Sequence, residues 1–463
     1  MDYQRFVNDK LRAHQAHGFS ADASSYALFG HQQVLVEWAA RKGRCAVFAD
    51  TGLGKTRIQL AWADLVANQT GGKVLILAPL AVAAQTQREG AEMGIDVIHA
   101  RDQADIGDAR IVVTNYDRLH RFETHGFVGV VLDESSIIKH HDAKTLKVLM
   151  GAFADTAYRL CATATPSPND WTELGTHAEF LGVCTQAEML AEFFVHDGGE
   201  TQLWRLKGHA RAEFWRWVAT WGAMIQSPAD LGFDASAYDL PPLHMEQVSV
   251  ATDQQADDGQ LFALEAKTLS ERRQARRDSM AHRVAACAER VNASDQPWVI
   301  WCELNAEGDA LRAAIPDAVE IRGNDTSEKK EQALIDFAAG RIRVLITKPK
   351  IAGFGLNWQH CNQVAFIGVI DSYEAYYQAI RRCWRFGQRR PVTAYLFVSE
   401  LEGAVRRNLE RKERNAGAMM DALRAETAAA VREQVLGQRR ITNAHAADQR
   451  VEWPMFMRMR EAA

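Results

Sequence analysis

The sequence predicts an α/β protein of two parallel-sheet domains with a helical insertion between them. Three observations carry that prediction. Short β-rich apolar runs recur in two separate series, each run followed by a helix-like segment, which is the pattern of parallel strands covered on both faces. The first run stops at a glycine-rich loop, ADTGLGKT (49–56), that opens a helix. The chain has 463 residues, too many for one ordinary core, so two or three domains are expected.

The first series comprises CAVFA (45–49), KVLILA (73–78), RIVVT (110–114), VGVVL (128–132) and RLCAT (159–163). The second comprises WVIWC (298–302), AVEI (318–321), RVLIT (343–347), QVAFI (363–367) and TAYLFV (393–398). Between them the pattern changes. WRLKGHARAEFWRWVATWGAMI carries Trp204, Trp215, Trp217 and Trp221 among charges. Trp215 and Trp217 cannot share one helical face, so these rings are expected in the core of a small helical subdomain rather than stacked on bases. DLPPLH (239–244) marks the crossing into the second series. The resulting division is an N-terminal segment 1–24, a first domain 25–174, an insertion 175–238, a second domain 239–415 and a helix-favouring tail 416–463. A charged helix over 264–291 carries Arg272, Arg273, Arg276, Arg277 and Arg283. At helical spacing it is either a duplex clamp or a brace pairing with acidic surface.

The apolar fraction of 47% and charged fraction of 24% suit a globular protein. The net charge of −5 means that a nucleic-acid partner needs local basic surfaces. Seven scattered cysteines without a Cys-x-x-Cys pair read as free thiols in a reducing cytoplasm, with no zinc site. The charged N-terminus shows no signal peptide, and no apolar run approaches the ~18 residues of a membrane span.

A strand, a loop ending in Gly-Lys-Thr and a helix, in that order, form the setting of a phosphate loop. Thr51, Gly52, Leu53 and Gly54 form the loop, and its glycines let backbone N–H groups approach phosphate oxygens. The helix N-terminus adds positive partial charge. Lys55 would reach the β- and γ-phosphates, and Thr56 would place its hydroxyl on Mg²⁺. Ala49 stands where the strict pattern has glycine, a small departure. VVLDESS (130–136) is a buried strand ending in two carboxylates. Asp133 would hold Mg²⁺ through its water shell, and Glu134 would orient and deprotonate the attacking water.

With these placed, the remaining landmarks resemble, in order, the motifs of superfamily two helicases, and most of all the Swi/Snf-type translocase branch in its compact bacterial and phage versions. The resemblance covers roughly residues 25 to 400 and implies two RecA-like domains with ATP and Mg²⁺ between them. By it, Gln32 in LFGHQQVLVEW reads the adenine edge. Pro79 in LILAPLAVAAQ and Thr114-Asn115 in TNYD touch the nucleic-acid backbone. Thr163-Ala164-Thr165 couples hydrolysis to domain movement. TKPKIAGFGLNW resembles the glycine-rich fifth motif, with Gly353 and Gly355 at the matching places and Thr347 and Lys350 near the strand. QAIRRCWRFGQ (378–388) is similar to the Gln-x-x-x-Arg-x-x-Arg-x-Gly-Gln signature of the branch, which makes Arg382 and Arg385 arginine fingers and Gln378 a reader of the domain interface. Two arginines three apart lie on one helical face, and an arginine delivered from a second domain stabilises the charge that develops on the γ-phosphate. Ser135-Ser136 departs from the Ala-His or Ala-Asp of many relatives, so no role of those side chains carries over.

The resemblance implies an ATP-hydrolysing, DNA-stimulated motor that steps along DNA, with duplex favoured over single strands, in bacterial or phage replication, recombination or repair in the cytoplasm, alongside a replication, recombination or nuclease partner. Rival readings are an RNA helicase, the motor of a restriction or defence assembly, and an ATP-gated DNA-binding scaffold with slow turnover. RNA-unwinding relatives usually carry a His-Arg-x-Gly-Arg form, and a pure binder does not need Glu134, Arg382 and Arg385 together.

Overall fold

The computed structural model describes residues 16–79, 82–139, 144–167, 170–196, 204–250, 277–352, 357–368, 373–399 and 427–437. Gly353, Gly355, Arg272, Arg273 and Arg276 lie outside the described residues.

The first domain starts with α1 (Gly30–Lys42), β1 (Arg44–Ala49), α2 (Lys55–Thr70), β2 (Lys73–Ala78) and α3 (Val82–Glu92). It continues through β3 (Val97–His99), β4 (Ile111–Asn115), β5 (Phe127–Asp133), α4 (Lys144–Ala152), β6 (Tyr158–Ala162), α5 (Leu174–Leu181) and α6 (Gln186–Phe193). A two-stranded ribbon, β7 (Phe194–His196) and β8 (Trp204–Leu206), precedes α7 (Arg211–Trp221) and β9 (Gly222–Ile225). The sheet order is β3-β4-β2-β5-β6-β1-β9, and its ladders are parallel. Alternation along the strands divides the core. Cys45, Val47 and Ala49 face Leu35, Trp38 and Trp62 on one side, while Ala46 and Phe48 face the other.

The expected helical insertion is not a separate subdomain. β9 pairs with β1 from Ala46↔Gly222 to Ala49↔Ile225, so residues up to Ile225 belong to the first sheet. Trp215, Trp217 and Trp221 are all buried in the core that also holds Phe48, Leu75 and Leu132. Tryptophans on different faces of α7 are buried together because the helix lies between the sheet and its neighbours. The short strands β3 and β9 have no apolar run long enough to stand out in the sequence.

The second domain contains β10 (Leu243–Val250), α8 (Met280–Asn292), β11 (Trp298–Trp301), α9 (Asn305–Ala314), β12 (Ala318–Glu320) and α10 (Ser327–Ala338). Then come β13 (Val344–Thr347), α11 (Pro349–Ala352), β14 (Gln363–Ile367), α12 (Tyr373–Ile380) and β15 (Val392–Ser399). Its parallel sheet runs β10-β15-β14-β11-β13-β12. Both domains are thus RecA-like α/β units. A helix over 427–436 returns from the second domain to the first. Val431 and Val435 join the core of α1 and α2, and Arg432 donates to the carbonyls of Ala229 and Asp230 at 3.1 and 3.0 Å. Six of the seven cysteines are buried, and all are free thiols. Among the described residues no helix is long and apolar enough to cross a membrane.

Of the charged stretch 264–291, residues 277–291 are described, and α8 packs Val284, Cys287, Ala288 and Val291 into the core of the second domain. Arg283 on α8 is fully buried and meets the equally buried Glu307 of α9 at 3.1 Å. Glu307 also caps α9 by accepting from the Glu303 and Leu304 N–H groups. Removing the arginine strands a buried carboxylate, so Arg283→Met should destabilise the second domain by about 3–5 kcal/mol, read from the shift of its urea unfolding transition.

Candidate nucleotide cleft and nucleic-acid face

The phosphate loop leaves β1 after Ala49 and enters α2 at Lys55. Gly52 and Gly54 have φ of 90° and 81°, where a side chain would be strained. Space also demands glycine at both. A Cβ on Gly52 would lie 2.9 Å from the Phe386 side chain, and one on Gly54 would lie 2.1 Å from Gln32 Nε2. Gln32 therefore buttresses the loop: its Nε2 donates to Leu53 O at 3.1 Å and its Oε1 accepts from Phe29 N at 3.0 Å. The Leu53 side chain is buried, so its contribution to a ligand is its backbone. Lys55 Nζ donates to Ala49 O at 2.9 Å. Burial pushes its pKa down, against the pull of Glu134, Asp50 and Asp133.

Asp133 ends β5, and its Oδ1 accepts from Gln59 Nε2 at 2.6 Å. Burial first, and then the charge of Glu134, push its carboxyl up to about 6. Glu134 has φ of 52°, the one positive value among described non-glycine residues, a strained backbone of the kind that gathers at functional sites. Thr163 Oγ1 donates to Glu134 Oε2 at 3.4 Å and accepts from Thr165 N at 3.1 Å, and Ala164 between them is buried. Ser135 Oγ lies 3.1 Å from Nε2 of the buried His177, so the first serine after the Asp-Glu pair is engaged within the first domain.

Arg382 and Arg385 come from the second domain. They stand on the turn after α12, not on the helix, because the chain tightens there: Arg382 N bonds Ala379 O and Cys383 N bonds Ile380 O. Arg382 Nη2 donates to Gln378 Oε1 at 2.9 Å, and Gln378 Nε2 reaches across to Thr165 Oγ1 at 3.4 Å. Burial, then the charge of Arg382, bring the Arg385 guanidinium down to about 10. Both arginines line one cleft with Thr51, Gly52, Gly54, Lys55, Thr56, Asp133 and Glu134, and its volume of about 480 Å³ is that of a ligand pocket. Among the described residues no three His, Cys, Asp or Glu side chains form a metal cage. A buried Asp133 beside a charged neighbour, with the Thr56 hydroxyl in the same cleft, fits Mg²⁺ that draws most of its ligands from nucleotide phosphates and water.

Sequence reasoning missed two groups. One is a clasp between the domains. Asp50 Oδ2 accepts from Arg381 Nη2 at 2.7 Å, its Oδ1 accepts from Tyr377 Oη at 3.3 Å, and Arg381 Nε donates to Tyr377 Oη at 2.9 Å. Asp50 Oδ1 also accepts from Thr51 N at 2.6 Å, so the clasp grips the shoulder of the phosphate loop. The consecutive Arg381-Arg382 was its visible signal. The other is an aromatic mouth, where Phe29 and Tyr238 meet Phe386 at 6.1 and 4.6 Å between ring centres. Phe29 is half exposed and offers a face for a planar base.

The expected backbone contacts separate by orientation. Pro79 and Asn115 follow or end neighbouring strands of the first sheet, paired Ala78↔Asn115. Thr114 turns inward instead, its hydroxyl donating to Ala100 O at 2.8 Å. Thr347 is buried at the end of β13, Lys348 Nζ donates to Asn305 Oδ1 at 2.6 Å, and Lys350 is exposed.

Two parallel-sheet domains enclosing a phosphate loop, a carboxylate pair and a pair of arginines define a two-domain P-loop protein of helicase type. Residues 31–194 match the SNF2-related domain and residues 288–387 the helicase conserved C-terminal domain. The chain belongs to the Swi/Snf-like branch of the superfamily two helicases. It is 34% identical over 83 residues, 18% of its own length, to the bifunctional helicase and thymine dioxygenase JBP2 of Leishmania braziliensis. It is 29% identical over 180 residues, 33% of its length, to a "Probable global transactivator" of the Orgyia pseudotsugata multicapsid polyhedrosis virus. The matches span 8% of the first relative's length and 35% of the second's.

If Asp50 and Arg381 act as one unit, their loss is not additive. Asp50→Asn and Arg381→Gln should each lower ATP turnover about tenfold, and the double variant should stay within about threefold of the weaker single one, as steady-state phosphate release would show.

Proposed function

We propose that this protein is an ATP-dependent DNA translocase of helicase type, hydrolysing ATP to ADP and phosphate between its two domains. The observation that carries this reading is that Arg382 and Arg385 of the second domain line the same cleft as Lys55, Asp133 and Glu134 of the first. A binder of nucleotide needs the loop; a hydrolase also needs a base and charge delivered at the transition state.

In this reading the phosphate loop and Lys55 hold the β- and γ-phosphates. Glu134, held by Thr163, orients the attacking water and takes its proton. Arg382 and Arg385 stabilise the charge that spreads over the transferred phosphoryl oxygens. Thr56 and Asp133 would hold Mg²⁺, which neutralises phosphate charge when bound. The Phe29, Tyr238 and Phe386 mouth receives the base. Because Gln378 touches Thr165, loss of the γ-phosphate changes contacts on both sides of the cleft. Repeated closure and opening then shifts one domain's grip on a nucleic-acid backbone relative to the other's. The grip is on phosphates and so is tolerant of sequence.

Duplex DNA is the favoured track on the strength of the branch. The setting we infer is bacterial or phage replication, recombination or repair, and the viral relative is in keeping with it.

Steady-state ATPase with duplex DNA, single-stranded DNA and RNA tests the proposal. Duplex DNA should stimulate most. Lys55→Ala should abolish turnover, and Arg385→Ala should reduce it by about 10³-fold or more. Turnover indifferent to every nucleic acid would refute the motor, and a Lys55→Ala protein as active as its parent would refute the site.

A further inference from the structure

The first sheet presents a row of neighbouring strand ends: Pro79 after β2, Asn115 on β4 and His99 on β3. One turn beyond β4 stands Arg118, whose side chain is only 9% exposed. A guanidinium on a loop that follows a strand end is ordinarily solvated. Here it is covered from the other domain. Glu328 Oε1 of α10 lies 3.8 Å from Arg118 Nη2, and Glu331 Oε1 lies 3.7 Å from His99 Nδ1. Glutamates three apart share one helical face, so α10 turns an acidic face onto this row.

The fit is loose in a particular way. Both distances exceed those of direct charge-assisted hydrogen bonds, and Glu328 remains 60% exposed. Arg118 Nη1, His99 Nε2 and Asn115 Oδ1 are buried with no partner among the described residues. A permanent domain contact would pair such groups. A carboxylate in the first turn of a helix is ordinary by itself. Glu331 lies beyond that turn, and its side chain is 14% exposed against His99, which helix capping does not explain.

We propose that Arg118, flanked by His99 and Asn115, is a binding site for a nucleic-acid backbone phosphate, and that Glu328 and Glu331 cover it until a strand displaces them. This rests on the nucleic-acid reading above and extends it by one strand of the sheet. Arg118 supplies the charge and can donate to a phosphate in bidentate fashion. His99 can donate an imidazole N–H to a phosphate oxygen, and Asn115 can donate only from its amide nitrogen, its oxygen being an acceptor. The glutamates present carboxylate oxygens where phosphate oxygens would lie, so the closed pair of domains resists empty binding and yields to a polyanion.

The test is equilibrium binding of a fluorescein-labelled DNA duplex across a salt series, for the parent, Arg118→Gln, Arg118→Lys and the double variant Glu328→Gln/Glu331→Gln, with DNA-free ATPase as a check on the ATP site. Arg118→Gln should weaken binding about tenfold and reduce the slope of log affinity against log salt by about 1. Arg118→Lys should keep the slope. The glutamate variant, altered on the second domain only, should bind about three- to tenfold tighter at the same salt. Arg118→Gln binding with the parent's affinity and slope, or a glutamate variant no tighter than the parent, overturns the proposal while leaving the motor intact. A parent that binds no nucleic acid overturns both.

Discussion

The seating of the second domain's arginine turn on the phosphate loop is the constraint on which the rest of this structure depends. It is made at three places. Phe386 packs so closely on Gly52 that a Cβ there would clash. Arg381 and Tyr377 hold Asp50, which in turn holds Thr51 N. Gln378 bridges Arg382 and Thr165. Each contact ties a residue at or beside an arginine to a residue at or beside a phosphate-binding or carboxylate group. The position of the arginines is thus set by the loop they would serve, and a change in the loop's occupancy bears directly on the domain interface.

Electrostatics makes that arrangement responsive rather than merely stable. Asp133 and Glu134 sit side by side with little exposure, and Arg382 faces them, fully buried. Like charges crowded out of water are costly. The rise of the Asp133 carboxyl and the fall of the Arg385 guanidinium express that cost. Carboxylates and cations from different domains offset each other, so separating the domains exposes each set to water and joining them buries both. A nucleotide triphosphate with its metal ion brings charge of both signs into the same space. The strained backbone of Glu134 indicates that geometry at this point is held by its surroundings, through Thr163 and the start of the following turn.

Much of this was legible in the sequence. Continuous apolar runs such as KVLILA and QVAFI fall on strands with the same bounds in the structure, because a strand buried on both faces has no polar alternation to blur it. The Gly-Lys-Thr loop and the Asp-Glu pair were visible because their chemistry restricts residue type and spacing together, and the paired arginines through the resemblance of QAIRRCWRFGQ to the signature of the branch. What escaped depends on tertiary placement. β9 is four residues of an apparent helical segment, and only its neighbour β1 makes it a strand. The tryptophans of α7 broke the one-face rule because two layers cover the helix. Asp50 looked like a loop residue until Arg381, 331 positions away, gave it a partner. Thr114 matched a motif but its hydroxyl serves Ala100 O. No local pattern distinguishes a threonine that supports a strand end from one that presents its hydroxyl there.

The most direct measurement of the central claim is energy transfer between site-specific labels on the exposed Val148 of the first domain and Leu304 of the second, followed on single molecules during ATP turnover. The account predicts two transfer levels that alternate in step with hydrolysis, with Asp50→Asn shifting the balance toward the open one. A single unchanging level in molecules that hydrolyse ATP at the full rate would contradict it, because the arginine turn would then be fixed on the loop throughout the cycle.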